Sequence, residues 1–89
     1  MHDLILCYMH DKSLAKQFGI LIRRLRTEAG LSQEEFADRC HLHRTYISLI
    51  ERGQKIITIE TADKLAKALN LSLSQLFQLY DAEQRNTLE

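Results

Sequence analysis

The 89-residue chain has no proline, no valine and only three glycines. Short alternating apolar runs are also missing, so nothing reads as a sheet. Cysteine is scarce: Cys7 and Cys40 stand far apart in apolar settings. That excludes a disulfide framework and fits two reduced thiols in a cytosolic protein. No long hydrophobic run exists. The stretch "LILCYM" is too short to span a membrane, only His2 precedes it as a positive charge, and no small-residue cleavage site follows. A transmembrane helix and a signal peptide are therefore both excluded. There is no glycine-rich phosphate loop, no H-E-x-x-H and no G-x-S-x-G, so an enzyme is not expected and no cofactor is implied. Net charge is lacking too, with 12 Lys and Arg against 12 Asp and Glu.

What is present is Leu, Ala, Glu, Lys, Arg and Gln, the composition of short helices joined by tight turns. The length allows one domain with a marginal core, which a partner subunit would help. Five helices are expected. The first covers about 13–29, with Leu14, Phe18, Leu21, Ile22 and Leu25 as an apolar stripe and Gly30 as its stop. The second starts at Ser32, where Ser32 and Glu35 form an S-x-x-E capping box, and ends near Cys40. The third runs from after His43 to Arg52, with Gly53 as its stop. The fourth follows Thr58 and ends near Asn70, with Ile59, Ala62, Leu65, Ala66 and Leu69 on one face. The fifth follows Ser72, whose box partner is Gln75. Residues 1–12 read as an N-terminal extension, 13–80 as the domain and 81–89 as a flexible tail.

The charges are not evenly spread. Residues 13–55 hold eight Lys and Arg against five Asp and Glu, a local excess of +3 that the remainder balances with −3. This permits a phosphate-facing surface. Within that stretch, "SQEEFADRCHLHRTYISLIERG" places two short helices about three residues apart, the junction length of a helix-turn-helix. Phe36, Ala37, Cys40, Leu42, Ile47 and Ile50 point inward, and Ala37 is small enough for close helix approach. Arg44, Thr45, Ser48, Leu49 and Arg52 face outward, with Tyr46 at the margin. Such a face suits a DNA major groove: Arg pairs with guanine, and Thr and Ser with bases or phosphates.

The pattern "IRRLRTEAGLSQEEFA…RTYISLIERG…TIETADKLAKALNLSLSQLF" resembles the phage-repressor-like, Xre/Cro-type helix-turn-helix family over about 18–77. Within it, "HRTYISLIERGQK" is similar to the controller proteins of restriction–modification systems. The resemblance implies an all-α, five-helix, lambda-repressor-like DNA-binding domain with helices two and three as the helix-turn-helix. It implies a DNA-binding set of Gln33, His43, Arg44, Thr45, Tyr46, Ser48, Arg52, Gln54 and Lys55. Arg44 would lead base reading. Gln33 would bond a phosphate or brace a recognition side chain, and Arg52, Gln54 and Lys55 would hold the backbone. Arg26 and Glu51 match a position pair that forms an internal ion pair. His41 stands where the family often has glycine at positive φ, a conformation histidine tolerates better than most residues, at about 1 kcal/mol.

Other readings stay beside these. Arg44 is also what a solvated helix charge looks like, and Tyr46 serves equally well as core. Cys40, His41 and His43 invite zinc, but no second ligand pair stands at the usual distance, so no metal is expected. Leu73, Leu76, Phe77 and Tyr80 of the fifth helix exceed what one small core needs and form the expected face of a homodimer. The function expected is a cytoplasmic, nucleoid-associated bacterial or phage regulator. It would bind a double-stranded, pseudo-palindromic DNA operator as a dimer, with RNA polymerase as a further partner. The alternatives are a phage-type or antitoxin repressor, or a protein-interaction module that kept the fold without DNA binding.

Overall fold

In a computed structural model the chain forms α1 (His2–Glu28), α2 (Gln33–Cys40), α3 (Arg44–Glu51), α4 (Ile59–Ala68) and α5 (Leu73–Leu88). The helical backbone is described from 2 to 88 and the side chains from 14 to 85. The side chains of the expected extension, 1–12, lie outside the described residues. Two boundaries differ from the sequence reading. α1 already begins at His2, and α5 runs on to Leu88 where a flexible tail from Asp81 is expected. α5 is held on both sides of Asp81. Leu79 and Tyr80 pack on the core, Tyr80 lies beside Phe18 with ring centroids 6.4 Å apart, and Glu83 takes Arg24 Nη2 at 2.7 Å.

The helix ends follow local chemistry. Ser32 Oγ accepts from Glu35 N–H at 3.0 Å while Ser32 N–H donates to Glu35 Oε1 at 2.9 Å, which closes the capping box. The same backbone hydrogen bond holds the Glu35 carboxyl below its ordinary pKa. Ser72 and Gln75 repeat the arrangement at 3.0 and 2.8 Å. Thr58 caps α4 by accepting from Thr61 N–H at 3.1 Å. His41 ends α2 in the left-handed region, φ 59° and ψ 40°, and Leu42 N–H then reaches back to the Ala37 carbonyl at 3.0 Å. That reversal turns the chain from α2 into α3.

The core is built from all five helices: Leu21 and Ile22, Phe36, Ala37 and Cys40, Ile47 and Ile50, Leu65 and Ala66, and Leu76. Each large aliphatic side chain buried here contributes about 1.5–3 kcal/mol. α1 lies directly on α3. A Cβ at Gly19 would overlap the Ile50 carbonyl oxygen, so only glycine allows that approach. Two stripes extend past the core they were expected to join. Leu14 is 52% exposed and Ile59 63% exposed. Both have the helical spacing of core residues, but among the described residues no neighbouring helix covers them. Leu76 is the opposite case: expected at a dimer face, it is fully buried. It sits on the side of α5 that packs into the core cluster, so it is removed from any surface.

Candidate nucleic-acid interface

α3 is held from behind and open in front. On its inner side, Glu51 is 8% exposed and meets Arg26, also 8% exposed, in a two-pronged pair. Arg26 Nε donates to Glu51 Oε2 at 2.6 Å and Nη2 to Oε1 at 3.0 Å. Arg26 Nη1 also donates to the Leu31 carbonyl at 2.8 Å. Gln33 Nε2 donates to Glu51 Oε1 at 3.0 Å. One carboxylate on α3 thereby ties α1, the α1–α2 turn and the start of α2 together. Charge-assisted, forked pairs of this kind fix orientation as well as distance.

On the outer side, Arg44 and Thr45 are exposed, and Ser48 and Leu49 are half-buried. Arg44 and Ser48 are one turn apart and stand on the same face. His43 precedes the helix in extended conformation, and its Nδ1 accepts from Thr45 N–H at 3.1 Å. That cap satisfies one orphan donor and fixes the ring at the helix entrance, with Nε2 as the remaining polar atom. Tyr46 is half-buried and packs against the core, while Lys55 Nζ lies 5.6 Å from its ring centroid. Tyr46 thus has a packing task on the core and also holds the Lys55 ammonium over its ring. Arg52 is exposed, with Nε 3.4 Å from the Ser48 carbonyl, and Gln54 is exposed in the turn that follows.

The fold thus brings His43, Arg44, Thr45, Ser48, Arg52, Gln54 and Lys55 along one helix and its following turn. Gln33 is placed differently: its amide nitrogen is engaged by Glu51. That bond ties the start of α2 to the end of α3. The backbone of Lys16 on α1 sits against the turn at Gly53, next to Arg52. Cys40 lies in the core while His41 and His43 are exposed. Among the described residues, no three His, Cys, Asp or Glu side chains gather as a metal site. No helix among them is long and apolar enough to cross a membrane. Of the residues expected at a dimer face, Leu73 and Tyr80 are half-buried and Phe77 is exposed.

Two short helices crossing at a left-handed turn, the second presenting an outward polar face, define a helix-turn-helix. The helix-turn-helix family matches residues 22–76, and the chain belongs to it. Among its relatives are restriction–modification control proteins. It is 40% identical over 76 residues to the control protein C.SmaI of Serratia marcescens, covering 85% of this chain and 87% of that one. It is 42% identical over 60 residues to the control protein C.BamHI of Bacillus amyloliquefaciens, covering 66% and 74%. The controller protein C.Esp1396I, solved as a tetramer in complex with its natural 35-base-pair operator, is similar in structure. The TM-score is 0.74 at 34% identity, over 79% of this chain and 92% of that one.

Proposed function

We propose that this protein is a sequence-specific, DNA-binding transcriptional regulator that acts as a dimer on a pseudo-palindromic operator and controls a restriction–modification operon. The observation that carries this reading is the asymmetry of α3. Its inner carboxylate is locked by Arg26 and Gln33, and its outer face leaves Arg44, Thr45 and Ser48 without a structural task. A helix so anchored enters the major groove as a rigid unit. Arg44 offers a forked donor pair to guanine, and Thr45 and Ser48 offer hydroxyls to bases or phosphates. His43, Arg52, Gln54 and Lys55 flank the groove and set the register on the backbone. One unit covers one half-site, so two copies are needed, with half-site centres about 10–10.5 bp apart. Bound at one position the dimer excludes RNA polymerase, and at another it recruits it. The site of action is the bacterial cytoplasm, on the nucleoid.

The test compares two variants on selected and random duplexes. Arg44→Ala weakens binding to the preferred duplex by about 1–3 kcal/mol and relaxes choice at one or two base pairs. Lys55→Ala weakens binding to all duplexes and lowers the salt slope by about one. Equal losses on both duplexes for Arg44→Ala would remove it from base reading. No binding at all by the folded wild type would favour a protein-interaction module, the reading that the neutral net charge supports.

A further inference from the structure

The outward face of α3 and its cap holds two rows of side chains. Arg44, Ser48 and Arg52 follow one another at single-turn spacing and form a polar row. Thr45 and Leu49, also one turn apart, form the row beside it. Leu49 is half-buried, yet it belongs neither to the core cluster nor to the apolar side chains packed against that cluster. Ile47 and Ile50 supply the buried core contacts of the same helix. Leu49 therefore brings to the reading face an isobutyl group that core packing does not use. Its backbone is fixed. The Leu49 carbonyl accepts from Gln54 N–H at 2.9 Å, and Glu51, two residues on, is clamped by Arg26 and Gln33.

Arginine and the hydroxyl side chains recognise hydrogen-bonding edges. An isobutyl group has no hydrogen bond to give and gains only from apolar surface. In the major groove the apolar feature of a base edge is the methyl group at C5 of a pyrimidine. We infer that Leu49, with the Thr45 methyl beside it, is a specificity-determining residue that packs on a pyrimidine 5-methyl group in each half-site. Thymine carries that group, and so does 5-methylcytosine. This contact rests on the DNA-binding reading proposed above and adds an apolar readout to the polar one.

Two effects give the discrimination. Contact with the methyl group takes apolar surface of both partners out of water. Over an unmethylated cytosine, Leu49 would instead lie against the exocyclic amine and strip water from it without offering a hydrogen bond. The spacing also places the contact. Leu49 is five residues beyond Arg44, about 7.5 Å along the helix at 1.5 Å per residue, and a helical leucine leans back toward the N-terminus. At about 3.4 Å per base step, the methylated pyrimidine lies within about two base pairs of the guanine assigned to Arg44.

The test uses the full chain and the duplex it selects from a random library. Each thymine of a half-site is replaced in turn by uracil, which lacks only the methyl group, and each cytosine by 5-methylcytosine. Affinity is read by fluorescence anisotropy. At one position near the guanine, wild type should bind the methylated form about 3- to 5-fold more tightly, the effect of one methyl group in apolar contact. A difference at a thymine names thymine as the source, and a difference at a cytosine names 5-methylcytosine. Leu49→Ala, with helix content checked by circular dichroism, should lose the difference and keep the preference for guanine. Leu49→Met keeps the apolar reach and should retain it. A wild type that ignores the methyl group at every position would overturn the inference. Leu49→Ala keeping the wild-type difference would overturn it as well. If wild type enriches a two-fold site and ignores its methyl groups, the Leu49 contact is wrong and the regulator reading stands. If folded wild type enriches no duplex, the regulator reading falls and the Leu49 contact with it.

Discussion

Replacing Glu51 by alanine tests the device that holds the reading helix. The carboxylate accepts three hydrogen bonds: Arg26 Nε at 2.6 Å, Arg26 Nη2 at 3.0 Å and Gln33 Nε2 at 3.0 Å. Without it a buried guanidinium keeps only the Leu31 carbonyl. Breaking a buried pair by removing one partner costs about 3–5 kcal/mol, because the remaining charge stays desolvated. A chain of this length has roughly 4–13 kcal/mol to lose, at about 0.05–0.15 kcal/mol per residue. Glu51→Ala should therefore lower the denaturant midpoint sharply with little change in slope. The double variant Arg26→Met, Glu51→Leu removes both charges and should recover most of the loss. A single-variant loss under about 1 kcal/mol, or a double variant as unstable as the sum of the singles, would show that the pair does not anchor α3.

Two further predictions concern stability alone. His41→Gly relieves a left-handed residue whose side chain is exposed, so it should stabilise the fold by about 0.5–1 kcal/mol, a rise of a few degrees in Tm; a fall would mean that the side chain holds the turn. Burial pushes the Cys40 thiol up to about 11, from 9.0 in the unfolded chain. Its folded pKa is raised, so its contribution to stability is complete below pH 9 and is lost as pH rises from 9 toward 11. Cys40→Ala should flatten that part of the stability–pH curve, and an unchanged curve would contradict the burial of the thiol.

Local chemistry was legible in the sequence and long-range cover was not. The Ser32–Glu35 box follows from contacts within four residues and the left-handed His41 from the family resemblance, and both are present. The inward set Phe36, Ala37, Cys40, Leu42, Ile47 and Ile50 follows from the spacing inside one motif, and all are buried except the half-buried Leu42, which packs against the core from the turn. Spacing names a helix's apolar side without saying which neighbour reaches it. Leu14 and Ile59 look like core by period, yet both are exposed, while Leu76 looks like surplus and is fully buried. Gln33 shows the same limit at the candidate site. Its partner Glu51 is 18 positions away, and only the packing of α2 against α3 brings the two together.

The most direct measurement is selection of duplexes from a random library by the folded full chain at physiological salt, followed by sequencing. Enrichment of a two-fold symmetric site, with a guanine in each half that Arg44→Ala no longer selects, is the predicted result. A folded protein that enriches nothing would contradict sequence-specific operator binding.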